Sequence, residues 1–387
     1  MKNDQSVLFL THVGEMGGAE AKMISIAKSV EGEKKVYLFQ SGSLEQKIKQ
    51  EGLDVSVLEM PEAVSTFKRE NGMLSALKLI PLMMGYIRKL SRVCRNYDVV
   101  VCMSQKSFVL TSLSKVLKRK KIVWFMNDLL SEDHFNRFLI KFLIVLSRLS
   151  ANVVVLNSES SRKAWLDAGG TAHNIELIYS GIDTQKFESL DKTGAEIQAI
   201  KAKYTSKSAP LVGMFGRITP WKGQHVFIDA LAQIDNVHGV IVGEAQFGEE
   251  EYKQELEQLI EKHGLQDRIS FAGHVDNIPH YMAACDVITH CSTSAEPFGR
   301  VIVESMLAKT PVIATNAGGA QEIILDGETG FLYPIGDDAR LAELISKCLE
   351  MHSGQDDPLV MSAYERAKQN YSSAKMVEQF HDILKNV

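Results

Sequence analysis

Short apolar runs alternate with longer amphipathic stretches along the first half of the chain. The opening run SVLFLTHV is rich in apolar and β-prone residues, and AEAKMISIAKSV after it has apolar positions at helical spacing. The further strand-like runs are KKVYLF, LDVSVLEM, DVVVCM, KIVWFM and ANVVVLN, most of them separated by helical stretches. Strands that alternate with helices on this scale predict an α/β fold, with a parallel sheet covered on both faces.

The same alternation starts again in the second half. The segment from Glu188 to Ser208 is polar and poor in strand-like runs. The runs PLVGMFGRI, HGVIVGE, RISFAGHV, CDVITHCS, TPVIATN and TGFLYP then follow, with helical stretches between them. Two successive series predict two Rossmann-like domains, which we place at residues 1–190 and 191–370. Residues 371–387 are expected to form a C-terminal helix that packs back toward the N-terminal domain.

Composition and charge restrict the class of protein and its partners. A length of 387 residues suits two domains, because one domain usually has about 100–200 residues, and 45% hydrophobic with 24% charged residues is ordinary for a globular protein. The net charge is +6 over residues 1–190 and −11 over residues 191–387. So small and dispersed a positive surplus does not predict a nucleic-acid partner, but it leaves an anionic substrate or an anionic membrane surface open.

Cysteines and the first residues point to a reducing compartment. The five cysteines are scattered, without a C-x-x-C pair and without a nearby His at ligand spacing, so we expect core thiols and no metal site or other cofactor. The apolar run from Val7 to Leu10 is shorter than the apolar centre of about 7–15 residues in a signal peptide. We therefore expect a cytoplasmic protein.

The loop GEMGGAE, from Gly14 to Glu20, follows the first predicted strand. Ligands of open α/β sheets bind at the carboxyl ends of strands, and paired glycines let backbone approach a ligand closely. The helix N-terminus after the loop offers free N–H groups to an anion. A tight turn without a ligand is an equally good interpretation, because the loop lacks the G-x-G-x-x-G pattern.

The second domain opens with GMFGRITPWKG, which places two cations just past a strand. Arg217 and Lys222 are five residues apart in a loop punctuated by glycine and proline, an arrangement well suited to holding a diphosphate. Solvated surface charges are the alternative, and for these two residues taken alone they are the more frequent case.

The stretch EPFGRVIVE carries two carboxylates. Pro297 disfavours helical backbone at Glu296, whereas RVIVESMLA is expected to begin a helix that contains Glu304. The N–H groups that would face an anion at the helix start are those of Phe298, Gly299, Arg300 and Val301. In the alternative interpretation, Glu296 caps the helix and Glu304 is a solvated helical residue.

These segments together resemble a known family. GGAE, GRITPWKG, FAGHVDNIPHYMAACDV and EPFGRVIVESMLAKTPVIATNAGGAQEIILDGETGFL, in this order, are similar to retaining glycosyltransferases of the GT-B architecture, of the family four (group 1) type. The resemblance covers nearly the whole chain and is strongest over residues 211–335. It implies two Rossmann-like domains facing a central cleft, with the acceptor bound by the first and the nucleotide sugar by the second.

The resemblance also implies roles for individual residues. Arg217 and Lys222 would bind the donor diphosphate and neutralise the charge that develops on it, Glu296 would contact the donor sugar, and Glu304 would bind the ribose. The other residues implied to bind the donor are Gly17, Gly18, Gly216, Val275, Phe298, Gly299, Arg300 and Val301. On the acceptor side it implies Glu20, Asn127 and Asp128, although many relatives have a histidine where this chain has Asn127.

The implied activity is that of a retaining, metal-independent hexosyltransferase. The donor would be a nucleotide-diphosphate sugar, with a UDP-sugar favoured and GDP-mannose second. The acceptor would be a glycan or a lipid-linked glycan in the synthesis of cell-surface polysaccharide or glycolipid. A sugar-nucleotide epimerase of related fold and a non-enzymatic nucleotide-sugar sensor stay open as alternatives.

A basic amphipathic stretch bears on the acceptor. In HFNRFLIKFLIVLSRLS, from His134 to Ser150, the three cations Arg137, Lys141 and Arg148 fall within a narrow helical arc and the rest of the surface is apolar. Together with LKRKK at 117–121, this predicts peripheral contact of residues 117–150 with the inner face of a membrane. A helix packed on its own sheet, with a basic stripe facing solvent, is the alternative and the commoner case.

Overall fold

The computed structural model describes residues 5–65, 72–114, 120–132, 135–205, 209–246, 248–351 and 357–387. The chain forms two compact units. The first comprises Met1–Ser180 and Ser373–Val387, and the second comprises Gly181–Ser372. The division therefore follows Ser180 rather than residue 190.

The first unit contains a seven-stranded sheet with the order β3-β2-β1-β4-β5-β6-β7, in which every pair is parallel. Its strands are β1 (Val7–Thr11), β2 (Lys34–Leu38), β3 (Val55–Val57), β4 (Val99–Cys102), β5 (Lys121–Met126), β6 (Val153–Leu156) and β7 (Ile175–Leu177). The central strands β1 and β4 are fully buried, which explains why they read as continuous apolar runs.

Helices connect these strands. They are α1 (Gly18–Ser29), α2 (Ser43–Gln50), α3 (Glu62–Ser65), α4 (Gly72–Cys94), α5 (Gln105–Leu113), α6 (Arg137–Ser150) and α7 (Glu159–Asp167). One core cluster on each side of the sheet packs it against this helical layer.

The second unit contains a six-stranded parallel sheet with the order β10-β9-β8-β11-β12-β13. Its strands are β8 (Leu211–Phe215), β9 (His238–Val242), β10 (Ile269–Gly273), β11 (Val287–His290), β12 (Val312–Thr315) and β13 (Phe331–Tyr333). The strand order reverses between β8 and β11, and the crevice at such a reversal is where open α/β sheets bind ligands.

The helices of the second unit cover both faces of its sheet. They are α8 (Gln185–Glu188), α9 (Ala195–Tyr204), α10 (Gln224–Leu231), α11 (Glu250–Lys262), α12 (Ile278–Ala284), α13 (Arg300–Leu307), α14 (Ala320–Ile323), α15 (Asp338–Met351) and α16 (Pro358–Asn370). A short 3-10 helix, Pro220–Lys222, lies between β8 and α10. Each unit thus has the parallel α/β organisation of a Rossmann-like domain, as the alternating pattern predicts.

The last helix, α17 (Ser373–Asn386), belongs to the first unit. Its Phe380 is fully buried, with its ring centroid 6.2 Å from that of Phe9 and 5.9 Å from that of Phe125. All five cysteines are buried and unpaired. Within the described ranges, no helix is long and apolar enough to cross a bilayer.

Candidate functional site

A largely buried ion pair joins the two loops at the point where the second sheet reverses its strand order. Lys222 ends the 3-10 helix after β8, and Glu296 lies in the loop after β11. Lys222 Nζ lies 2.5 Å from Glu296 Oε1, and the two side chains are 14% and 10% exposed. The ammonium group also lies 4.5 Å from the ring centroid of Trp221, which adds a cation–π contact.

Two further side chains hold the Glu296 carboxylate. His290 Nε2 lies 2.9 Å from Glu296 Oε1, and Ser292 Oγ donates to the same oxygen. Burial acts to raise the pKa of Glu296, but the interactions with Lys222 and His290 outweigh it and hold that pKa well below its usual value of 4.5. Glu296 is therefore an ionised carboxylate at neutral pH.

A glycine pair after β12 fixes the backbone of the EPF turn. Gly318 has φ +60°, and a Cβ atom there would collide with the backbone of Glu296. A Cβ atom on Gly319 would collide with the carbonyl group of Phe298, and the Gly319 N–H donates to the Glu296 carbonyl oxygen over 2.9 Å. The loop that carries Glu296 thus rests on backbone that only glycine allows to come so close.

Helix α13 begins at Arg300, as predicted, and Gly299 precedes it with φ +98°. Glu304 accepts a hydrogen bond from Arg300 Nη2 over 2.9 Å, so the helix itself orients this second carboxylate. Phe298 is buried, with its ring centroid 5.5 Å from that of Tyr371. Its ring thus anchors the turn. The two glutamates thus project from a loop and from a helix, as the sequence indicates.

The remaining predicted donor residues of the second unit lie at the same edge of the sheet. Gly216 and Arg217 follow β8 directly, and Val275 follows β10. The Arg217 side chain is exposed, whereas its carbonyl oxygen accepts a hydrogen bond from Gln224 Nε2 over 2.8 Å. Carboxyl ends of parallel strands share one edge, so these residues and the Lys222–Glu296 pair face the same crevice.

In the first unit, the loop after β1 leads into α1. Gly17 is the N-cap of α1 and Gly18 is its first residue. Glu20 is buried and accepts a hydrogen bond from Thr11 Oγ1 over 3.4 Å, and burial raises the pKa of its carboxyl group. Glu20 is thus placed inside the unit, beside the end of β1.

The polar residues after β5 are also held within the first unit. Asn127 accepts a hydrogen bond from Lys22 Nζ over 2.8 Å and donates one to the Met103 carbonyl oxygen over 2.9 Å. Asp128 accepts a hydrogen bond from Gln105 Nε2 over 3.0 Å. The amide at position 127 therefore has a defined orientation, with its oxygen toward a cation.

Five residues of these arrangements are not identified by the sequence analysis: Lys22, His290, Ser292, Gly318 and Gly319. Four of them lie at or just past the carboxyl end of a strand, and that position was the signal that could have identified them. Lys22 gave no such signal, because a lysine in an amphipathic helix normally faces solvent, yet here it is only 2% exposed. Across the described ranges, no three His, Cys, Asp or Glu side chains form a group that could hold a metal ion.

Two family models match the chain in succession. The model of glycosyltransferase family 4 matches residues 43–186, and the model of group 1 glycosyl transferases matches residues 196–370. The second match contains the Lys222–Glu296 pair and helix α13.

Curated relatives match mainly over part of their length. The lipopolysaccharide core biosynthesis glycosyltransferase LpsE of Rhizobium meliloti (strain 1021) is 36% identical over 162 residues, which are 42% of this chain and 46% of LpsE. A GDP-mannose-dependent alpha-(1-6)-phosphatidylinositol monomannoside mannosyltransferase of Mycobacterium tuberculosis is 31% identical over 210 residues, 51% of this chain and 52% of that protein. In both cases the match spans about half the length of the relative.

A solved structure resembles the chain over its full length. The crystal structure of Anabaena Alr3699/HepE in complex with UDP-glucose matches with a TM-score of 0.88 and 34% identity, covering 99% of this chain and 100% of that one. Together with the two family models, this likeness shows that the chain belongs to the group 1 glycosyltransferases of family 4, which have the GT-B architecture.

Proposed function

We propose that the protein is a retaining, metal-independent glycosyltransferase that transfers a hexosyl group from a nucleotide-diphosphate sugar. The acceptor is a glycan or a lipid-linked glycan in the synthesis of cell-surface polysaccharide or glycolipid. One observation carries the proposal: the buried Lys222–Glu296 pair at the strand-order reversal of the second sheet, beside the N-terminus of α13. A cation, an ionised carboxylate and the N-terminus of a helix, whose first N–H groups have no partner within the helix, meet there, as a diphosphate sugar requires.

Each group has a role that follows from its chemistry. Lys222 and Arg217 hold the diphosphate and neutralise the negative charge that grows on it as the bond to the sugar breaks. Glu296 accepts a hydrogen bond from a hydroxyl group of the sugar, and Glu304 accepts hydrogen bonds from the ribose hydroxyl groups. Because Glu296 is already engaged by Lys222, His290 and Ser292, it suits hydroxyl binding better than nucleophilic attack.

The proposed stereochemistry is retention through attack on the same face that the leaving group departs from. The acceptor oxygen forms the new bond to the anomeric carbon while the bond to the diphosphate oxygen breaks, and the departing phosphate takes the acceptor's proton. The bonding electron pair leaves with the diphosphate, whose charge the two cations offset. No metal ion is needed for that role, since two cationic side chains perform it.

A UDP-sugar is the favoured donor, and GDP-mannose is second. HepE was crystallised with UDP-glucose, and it matches this chain over its full length. The mycobacterial relative is GDP-mannose-dependent by its name, but its match covers only half of either chain.

The test is the release of nucleoside diphosphate from a panel of UDP- and GDP-sugars, each with and without EDTA. We expect release from a UDP-sugar, persistence in EDTA, and an α-linked product from an α-linked donor in proton NMR of the anomeric signal. Neither release nor binding with any donor would refute the transferase proposal. Activity that is lost in EDTA and restored by Mg²⁺ would refute metal independence.

We also propose that α6 contacts an anionic membrane at its cytoplasmic face. The helix buries Ile140, Leu143, Ile144 and Leu146, so it does pack on its own sheet. Four of its other apolar residues stay in solvent, with Phe138 80% and Leu149 75% exposed, and Phe142 and Val145 exposed between them. At about 100° per residue these four fall within about 60° of helix surface.

The cations of α6 border this apolar stripe. Arg137, Lys141 and Arg148 are exposed, and on the helix they form a neighbouring arc. An exposed apolar stripe beside a basic one is the pattern of a helix that lies in the interface of an anionic bilayer, which supports a lipid-linked acceptor. Of the residues predicted to take part, 117–119, 133 and His134 lie outside the described ranges.

A further inference from the structure

The Glu296 carboxylate is held through one oxygen. Lys222 Nζ at 2.5 Å, His290 Nε2 at 2.9 Å and Ser292 Oγ all contact Oε1. Within the described part of the chain, Oε2 has no hydrogen-bond partner, and it is not among the fully buried side-chain atoms that lack one. Oε2 therefore reaches the open side of the site, whereas Oε1 faces inward.

This division has a chemical consequence. A carboxylate offers two oxygens with about two acceptor positions each, so three donors on one oxygen leave that oxygen no capacity for a ligand. The same three donors come from the end of β11, from the loop just after it and from a 3-10 helix, so they fix the rotation of the carboxylate plane. What remains for a ligand is the acceptor capacity of Oε2.

His290 is buried, and it contacts Glu296 and Ser292 through the same ring nitrogen. Its Nε2 lies near Glu296 Oε1 and, at 3.4 Å, near Ser292 Oγ, whereas its Nδ1 is fully buried and has no hydrogen-bond partner among the described residues. Leaving a buried polar atom unpaired is unfavourable, and such an atom in a native structure calls for an explanation. Orientation of Glu296 explains why a histidine stands at the end of β11, where its partner on the neighbouring strand β12 is Ala314.

We propose that His290 and Ser292 are positioning residues that, with Lys222, hold Glu296 Oε1 and present Oε2 as a single acceptor for one hydroxyl group of the donor sugar. The inference rests on the proposed function and names two residues that determine its specificity. His290 and Ser292 themselves do not touch the sugar. They act through the carboxylate.

The arrangement predicts an unusual effect of Glu296→Gln. Three donors point at the Oε1 position, so the glutamine must place its carbonyl oxygen there and its NH₂ group at the Oε2 position. The acceptor that meets the sugar hydroxyl becomes a donor, although the inward hydrogen bonds are kept. Sugar recognition is then lost without loss of the supporting contacts.

The experiment compares His290→Gln with His290→Asn. A glutamine amide nitrogen reaches the position of Nε2 and can donate to Glu296, whereas an asparagine amide stops near Nδ1 and cannot. Both replacements are neutral amides, so neither adds a charge to the buried site. Calorimetry measures the dissociation constants of the two probes, UDP and UDP-glucose. The constant for UDP divided by the constant for UDP-glucose gives the contribution of the sugar to binding.

We expect His290→Asn to reduce that ratio by about tenfold or more, the effect of losing one hydrogen bond to a charged group, and His290→Gln to recover most of it. UDP binding should agree between the two variants. In a double-mutant cycle, His290→Asn should add little to Glu296→Gln, because both remove the same acceptor.

Any of three results would overturn the inference. His290→Asn could keep the wild-type ratio, or it could lose UDP affinity as much as UDP-glucose affinity. The effects of His290→Asn and Glu296→Gln on the ratio could also be fully additive. Ser292→Ala, which removes only one donor, should show the same selective loss at smaller size. A wild-type protein that binds neither UDP nor UDP-glucose, nor the corresponding GDP compounds, would refute the proposed function and this inference with it.

Discussion

Arg300 and Glu304 form an ion pair one turn apart on α13, with Arg300 Nη2 2.9 Å from Glu304 Oε1. The carboxylate proposed for the ribose is thus oriented by its own helix, independently of the cluster around Glu296. Because the two glutamates share no partner in these contacts, removing one leaves the supports of the other intact. Their functions can therefore be separated by mutation.

Glu304→Ala should weaken the binding of free UDP, by about tenfold for the loss of hydrogen bonds to a charged group. Glu296→Ala should spare UDP binding and impair sugar transfer. Calorimetry with UDP and steady-state kinetics with a UDP-sugar measure the two effects. Glu328→Ala, an exposed position of the second unit, is the control and should change neither. Weaker UDP binding in Glu296→Ala, with impaired transfer but normal UDP binding in Glu304→Ala, would contradict the proposed roles.

Stability at acid pH should report the state of Glu296. Its pKa in the folded protein lies well below the usual 4.5, so between these values the unfolded chain binds more protons than the folded one. The stabilisation is therefore fully present above about pH 4.5 and is lost as the pH falls below that value toward the folded pKa. Glu296→Gln lacks this contribution at every pH.

Urea unfolding of wild type and Glu296→Gln from pH 7 to pH 3 measures the effect. We expect wild type to be more stable above pH 5 by on the order of 2 kcal/mol, because the variant leaves the largely buried Lys222 ammonium without its counter-charge. The difference should shrink below pH 4.5. A difference that stays constant over the whole range would show that the depressed pKa contributes nothing to folding.

The fold was predictable because its strands can be recognised in the sequence as short, continuous apolar runs. Runs such as LVGMF in β8 and VVVC in β4 are buried along their whole length, so no alternation with polar residues obscures them. The domain boundary was not predictable to the residue. The Ile182 N–H donates to the Tyr371 carbonyl oxygen over 2.8 Å, and this contact, which ties the segment after Ser180 to the second unit, joins positions far apart in sequence.

The loops of the candidate site could be located from the sequence, but not the bonds within them. The EPFGRVIVE pattern identifies a loop carboxylate and a helical one, and both lie where predicted. Which side chain pairs with Glu296 depends on the order of β8 and β11 in the sheet, since only that order brings Lys222 beside it. The burial of His290 and Lys22 likewise depends on packing that local patterns do not encode.

Gly318→Ala should disturb the Glu296 loop more than its backbone strain alone requires. Gly318 and Gly336 both have positive φ, +60° and +74°, so alanine is strained at each. A Cβ atom at Gly336 meets nothing within 4 Å, whereas one at Gly318 collides with the Glu296 backbone. The difference between the two variants therefore isolates the collision from the strain.

We expect Gly318→Ala to cost about 1–3 kcal/mol more stability than Gly336→Ala, as overpacking against rigid backbone does. Transfer activity should also fall in Gly318→Ala alone, because the collision displaces the turn that positions Glu296. Chemical denaturation and nucleotide release measure the two effects. Equal stability and equal activity in both variants would show that the loop yields without consequence.

Membrane contact through α6 should depend on its apolar stripe and its cations separately. Phe138 and Leu149 are the most exposed apolar residues of this helix, and replacing both with Ser removes apolar surface without touching the buried side of α6. Changing Arg137, Lys141 and Arg148 to Glu reverses the local charge instead. In sedimentation with phosphatidylglycerol-containing vesicles, both sets should reduce binding.

Salt separates the two contributions, because added salt screens charges but not apolar contact. Binding of the double variant Phe138→Ser, Leu149→Ser should remain sensitive to salt. The triple Glu variant should bind weakly to phosphatidylglycerol vesicles, whereas its binding to neutral phosphatidylcholine vesicles should equal that of wild type. Leu166→Ser in α7, another exposed leucine of the same unit, is the matched control and should bind as wild type. If both α6 variants sediment like wild type, the exposed stripe does not meet a membrane, and the acceptor must reach the enzyme from solution.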